Sequence, residues 1–202
     1  MGKTIKIMFG LLSVCLLLFA IACESEKNEE GDQPEAKITA MAQTWEDKLI
    51  QELPALGHRN WLVVADSAFP AQISPGMEVV VSHEEHFAVL EKVLKAVGQS
   101  RHLRPHIYLD KELDYITEDL APGIESCRKR LADALRRYEL KPILHEELIA
   151  RMDQVAKTFR ILMIKTNLAL PYTSVFMELD CGYWGSEAEA KMREKMKEDK
   201  KR

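Results

Sequence analysis

The run Trp61-Leu62-Val63-Val64-Ala65 has the length of a strand and carries no polar side chain on either alternating set of positions. A strand with one face in water alternates apolar and polar residues, so this run has to be covered from both sides, as a central parallel strand is. Met77 to Val81 is a second run of strand length, and Ser82 after it is of a helix-capping type. The segment His83 to Val97 predicts a helix with Phe87, Leu90, Val93, Leu94 and Val97 turned inward. Pro105 to Leu109, Lys141 to Leu144, Phe159 to Lys165 and Val175 to Leu179 read as further strands. Thr44 to Leu53, Glu112 to Leu120, Ile124 to Tyr138 and Glu146 to about Lys157 read as helices. Strand and helix alternate, which predicts an α/β fold with a central sheet flanked by helices on both faces.

This domain is expected over residues 41–185, between two segments unsuited to a core. At the N-terminus Lys3 and Lys6 precede an uncharged apolar stretch, Ile7 to Ala22, which is shorter than the roughly 20 residues of a membrane span. That is the pattern of a secretory signal peptide, residues 1–22. It ends Ala20-Ile21-Ala22-Cys23, which resembles a bacterial lipobox and makes Cys23 the expected lipidation site. A plain signal peptide followed by an incidental cysteine is the alternative. Lipid chains contribute about 0.8 kcal/mol per buried CH₂, so the expectation is a protein tethered to a bacterial membrane in the cell envelope, facing periplasm or exterior. Residues 23–40 are polar and acidic, too poor in apolar surface to offset their ordering entropy, and are expected to be a flexible linker. Residues 186–202 have helical composition without an apolar stripe beyond Met192 and Met196, and read as a solvated, charged tail.

Charge and motif content remove several classes of function. With 28 Lys and Arg against 32 Asp and Glu, the chain lacks the cationic footprint that phosphate contacts require, so nucleic acid is set aside as a partner. Neither a GxGxxG nor a GxSxG motif occurs, which argues against phosphate-cradling loops and serine hydrolases. His83-Glu84-Glu85-His86 places its histidines three apart rather than the four of a zinc-protease helix. A solvated first helical turn is the better reading there, the acids favouring the helix dipole. Cys127 and Cys181 have no spacing pattern that distinguishes a disulfide from two buried thiols.

Candidate chemistry lies where strands end, because ligands of open α/β sheets sit beyond the carboxyl ends of the strands. Asp66 follows the Trp61 to Ala65 run and leads into the turn-rich Ser67-Ala68-Phe69-Pro70; a cap is the plainer role for an Asp so placed. His58 is on the loop entering the same strand, so it meets Asp66 only through another chain segment or another subunit. Leu170-Pro171-Tyr172-Thr173-Ser174 sets a phenol and two hydroxyls beside a proline that cannot join a sheet ladder.

Leu56-Gly57-His58, then Leu62-Val63-Val64-Ala65-Asp66-Ser67-Ala68-Phe69-Pro70, with Pro171-Tyr172-Thr173-Ser174 near the end, together resemble the RbsD/FucU family, which includes D-ribose pyranase and L-fucose mutarotase. The similarity runs from about Trp45 to Gly182. It implies an RbsD-like central sheet flanked by helices, and a homo-oligomeric ring, up to a decamer, in which neighbouring subunits complete each sugar pocket. It further implies that His58 matches the catalytic histidine, Asp66 the sugar-binding aspartate, His145 a second pocket histidine and Tyr172 the pocket tyrosine. The family usually has Asn where this chain has Ser174, and a hydroxyl does not reproduce the paired donor and acceptor of an amide.

The implied chemistry suits these residue types. Interconverting anomers or ring forms of a free monosaccharide removes a proton from the anomeric hydroxyl, protonates the ring oxygen and then reverses both transfers. Histidine, with an unperturbed pKa near 6.5, serves in either direction, so His58 and Tyr172 divide the transfers while Asp66, His145 and Ser174 hold the sugar. Neither a metal nor an organic cofactor is required. A non-catalytic monosaccharide-binding lipoprotein or a structural one on the same fold are the competing readings.

Overall fold

The computed structural model describes residues 43–199. The expected signal peptide, Cys23 and the acidic linker lie outside the described residues. Helix α1, Trp45–Glu52, begins at a reciprocal cap in which the Thr44 hydroxyl accepts the Asp47 N–H while the Asp47 carboxylate accepts the Thr44 N–H. Pro54 then tightens the chain into a short 3₁₀ turn over Leu53–Ala55. Strands β1, Trp61–Ala65, and β2, Met77–Val81, follow, then helix α2, His86–Gln99, and strand β3, Leu103–Asp110. Helix α3 spans Ile124–Leu135, β4 Leu140–Ile143, α4 His145–Val155, β5 Ile161–Lys165, β6 Val175–Cys181 and α5 Ser186–Asp199.

These strands form one six-stranded sheet of order β2-β5-β1-β6-β3-β4. The pairings β2 with β5, β5 with β1 and β3 with β4 are parallel, whereas β6 runs antiparallel to both β1 and β3. Strand β1 is therefore central and fully buried, as its composition requires, but parallel on one side only. The reversed β6 also decides where the loops gather, since it begins at the edge where every other strand ends.

Alternate side chains of β1 and β5 feed two cores. Leu62, Val64, Leu162 and Ile164 pack with the buried residues of α1, α2 and α3 on one face. Trp61, Val63, Ala65, Ile161 and Met163 pack with Leu148, Met152 and Ala156 on the other, where α4 lies. At about 25 cal/mol per Å² of apolar surface removed from water, this two-sided burial is the main stabilising term. No helix among the described residues is long and apolar enough to cross a membrane.

Two local expectations change. Helix α2 starts after Glu85, whose side chain accepts the Ala88 N–H, so Ser82 does not cap it. The Ser82 hydroxyl instead accepts the Glu84 N–H and donates to the Lys165 carbonyl. The expected helix over Glu112 to Leu120 is a 3₁₀ turn, Lys111–Tyr115, followed by irregular chain. Helix α5 forms, with no buried residue, in line with its lack of an apolar stripe. Cys127 is buried, Cys181 is half-buried, and both are free thiols.

Candidate functional site

Because β6 is reversed, the turn that enters it lies beside the carboxyl ends of β1, β3 and β5, and that edge gathers a cluster of polar side chains. Asp66 is nearly buried at the end of β1. Its Oδ1 accepts the backbone N–H groups of Ala68 and Phe69 at 2.9 and 3.0 Å, which folds the following loop back on the strand. Its Oδ2 accepts the Ser174 hydroxyl at 2.8 Å, and that hydroxyl accepts the Asp66 N–H at 3.0 Å. Ser174 has no exposed surface, so it bears on a ligand only through the aspartate. A carboxylate has about four lone-pair sites and three are taken, which leaves Asp66 one acceptor position. The Lys165 ammonium holds the same loop by donating to the Phe69 carbonyl at 2.7 Å.

Beside this pair stands another, made of His145, which the resemblance implies, and Asp110, which no sequence motif marks. Asp110 closes β3 with only 2% of its surface exposed, and His145 opens α4. The imidazole Nδ1 lies 2.9 Å from Asp110 Oδ1, and the Glu112 carboxylate accepts the His145 backbone N–H at 3.1 Å through both oxygens. Burial pushes the Asp110 carboxyl up to about 6, with Glu112 and Asp66 adding to the rise and His145 opposing it. Its Oδ2 has no hydrogen-bond partner among the described residues. The His145 ring meets Phe69 edge-on at 5.9 Å between centroids and Tyr172 at 5.2 Å and 90°. Tyr172 has a φ of 58°, a left-handed conformation strained for a non-glycine residue and of the kind that concentrates at functional sites.

One layer deeper, His86 is fully buried, not part of a solvated first turn. Its Nδ1 lies 3.0 Å from the Thr166 hydroxyl, which itself donates to the Ala65 carbonyl, so Nδ1 carries the proton. Burial lowers the His86 pKa to about 4, against the opposing fields of Glu85 and Asp66. This histidine is neutral and structural.

His58 is elsewhere. It enters β1 from the opposite edge, and five strand residues at about 3.3 Å each put roughly 16 Å between the two ends. There it lines a cavity of about 840 Å³ with Arg104, His106, Tyr138, Asp180 and Trp184. Its Nδ1 is 2.8 Å from Asp180, which also pairs with Arg104 and lies 3.4 Å from His106. Burial opposes ionisation of Asp180, but Arg104, the Cys181 N–H and the two histidines outweigh it and hold the carboxyl far below the usual range. A single chain thus brings Asp66, Ser174, His145 and Tyr172 together and leaves His58 at the far edge. Among the described residues no group of three or more His, Cys, Asp or Glu is placed to hold a metal ion.

No protein-family model and no curated protein matches the chain. Among solved structures, it is similar to Bacillus subtilis RbsD complexed with D-ribose, at 16% identity over 66% of this chain and 91% of that one, with a TM-score of 0.47. It is also similar to FucU from Bifidobacterium longum, at 19% identity over 66% and 93% of the two chains, TM-score 0.42. A third is the fucose mutarotase of Streptococcus pneumoniae in complex with L-fucose, at 13% identity over 66% and 91%, TM-score 0.47. These are structures of the family that the motifs resemble.

Proposed function

We propose that this protein binds a free monosaccharide at the carboxyl edge of its sheet and interconverts the sugar's anomers or ring forms by general acid–base catalysis. The observation that carries the proposal is the convergence, at one strand-end cluster, of an imidazole and a phenol at 5.2 Å with the nearly buried carboxylate of Asp66 beside them. These groups come from the start of α4, the turn before β6 and the end of β1, so the fold itself assembles them. The motif resemblance supplies the substrate class. A proton leaves the anomeric hydroxyl as another reaches the ring oxygen, the C1–O5 bond opens to the aldehyde, and rotation followed by the reverse transfers gives the other form. Positioned acid–base groups contribute about 10²–10⁴-fold, which is enough for a reaction that already proceeds unaided in water.

The proposal includes assembly in which His58 of a neighbouring copy completes the pocket, and attachment to a bacterial membrane through Cys23. The first accounts for a histidine so remote within one protomer. The second rests on the lipobox-like residues and is checked by whether Cys23→Ser moves the protein from the membrane to the soluble fraction.

Magnetisation-transfer NMR on ribose, fucose and other free sugars tests the activity. Exchange faster than in buffer for at least one sugar, lost in Tyr172→Phe and His58→Ala, is expected. Exchange at the buffer rate for every sugar defeats the catalytic reading. Ser174, turned wholly toward Asp66, favours one alternative, a binding protein without turnover, and sugar binding by calorimetry with no faster exchange is its signature.

A further inference from the structure

We infer that Asp110 is a positioning residue that fixes His145 in the tautomer with its proton on Nδ1, which makes His145 Nε2 the base that accepts the proton of the anomeric hydroxyl. The inference deepens the sugar-isomerase reading and rests on it for the identity of the proton donor.

The geometry is that of an orienting carboxylate behind an imidazole. Asp110 Oδ1 is 2.9 Å from His145 Nδ1, and an ionised carboxylate only accepts, so Nδ1–H is the donor and Nε2 keeps its lone pair. Nε2 makes no hydrogen bond among the described residues, and the His145 side chain is 22% exposed against 1% for Asp110. The carboxylate is inside and the free ring nitrogen belongs to the side that water and ligands reach. The ring is restrained further by Glu112, which holds the backbone N–H of His145, and by edge contacts with Phe69 and Tyr172. A buried carboxylate with Oδ2 unpartnered among the described residues is an unfavourable arrangement that structural needs alone do not explain, since a neutral amide would fill the same space. Its use is in the charged intermediate. When Nε2 takes the hydroxyl proton the ring becomes imidazolium, and the carboxylate at Nδ1 stabilises that charge in a poorly solvated site. The ring oxygen takes its proton from Tyr172 or from His58 of the neighbouring copy, so protons balance as C1–O5 opens. On this assignment His145 transfers a proton rather than only holding the sugar, and Asp110 acts through it.

The experiment is ring-nitrogen NMR on the ¹⁵N-labelled full chain at pH 7.5, with His145 resonances assigned by their loss in His145→Gln. Exchange kinetics of the sugar turned over by the wild type are measured beside it. The wild type is expected to show His145 protonated on Nδ1. Asp110→Asn, whose amide also donates, is expected to shift the population toward the Nε2–H form and to lower the saturated exchange rate about 10²–10⁴-fold while leaving sugar affinity within about threefold. An Nε2–H tautomer in the wild type, an unchanged tautomer in Asp110→Asn, a wild-type rate in that variant or a loss confined to KM overturns the inference. If Asp110→Asn does not fold, the wild-type tautomer decides. If the wild type accelerates no sugar, the isomerase reading fails separately, and the tautomers of the two proteins still decide whether Asp110 orients the ring.

Discussion

Asp110 and His86, two nearly or fully buried groups at the same edge of the sheet, titrate with opposite effects on stability. Asp110 has its folded pKa raised from 3.8 to about 6, so between those values the folded protein holds a proton that the unfolded chain has released. Stability from this group therefore falls as pH rises from about 4 to 6, and the loss is complete at neutral pH. His86 is lowered from 6.5 to about 4, so across that interval the unfolded chain holds the extra proton and stability falls as the solution is acidified. At 1.36 kcal/mol per unit each effect is of order 3 kcal/mol, and between about 4 and 6 they nearly cancel. Asp110→Asn removes one of the pair. Thermal melts at pH 7.5 should show it several degrees more stable than wild type, with the gain gone near pH 4 and a steeper decline on acidification. A variant less stable than wild type at pH 7.5 would mean that the ionised carboxylate is itself a structural tie. The expected result is a trade of stability for a charge behind His145, of the kind found where function and folding compete.

Among the elements, the tightest fit is at the strand ends away from the site. A Cβ on Gly76, just before β2, would lie 2.3 Å from the Phe159 carbonyl oxygen and 2.5 Å from that of Ala156, so the backbone would have to part. Gly98, in the last turn of α2, has nothing within 4 Å. Gly76→Ala should lower the unfolding free energy by about 1–3 kcal/mol, and Gly98→Ala should raise it by roughly 0.5–1 kcal/mol, both read from urea denaturation. Equal effects would mean that the loop carrying Gly76 yields freely. The same contrast between local and tertiary control explains which elements the sequence discloses. Strands β1 and β5 are legible because burial on both faces demands an unbroken apolar run, and α1 because Thr44 and Asp47 cap it reciprocally. The start of α2 is not, since Ser82, Glu84 and Glu85 are all capping or first-turn types and only the pairing of Ser82 with Lys165 across the sheet decides among them. Glu112 to Leu120 has helical composition, yet Glu112 is held by the N-terminus of α4 and the chain turns away after Tyr115. Asp110 ends β3 much as Asp66 follows β1, an acid at the carboxyl end of an apolar stretch, and that parallel was the signal available for it.

For the whole molecule, the proposed function requires two edges of one sheet to serve a single sugar. His58 is bound to Asp180 in a cavity shared with Arg104 and His106, while Tyr172 and His145 face each other across the opposite edge. No hinge in a sheet whose central strand is buried along its whole length can bring these ends together without dismantling the core, so a shared site requires a second copy. In the proposed assembly, closed symmetry would repeat the junction: each protomer would lend its His58 edge to one neighbour and receive another's at its carboxyl edge. The consequence is complementation. His58→Ala and Tyr172→Phe protomers, each inactive in a pure assembly, should recover exchange activity when co-expressed, because some junctions then combine an intact His58 with an intact Tyr172. In a random mixture of equal parts, about a quarter of junctions are intact on both sides, which sets the expected recovery relative to wild type. Placing both substitutions on one chain and mixing it with wild-type protomers gives the same quarter, so equality of the two mixtures is a second check. Absence of recovery in the first, with assemblies of wild-type mass, would put His58 outside the sugar pocket and leave the Asp110–His145–Tyr172 edge to act alone.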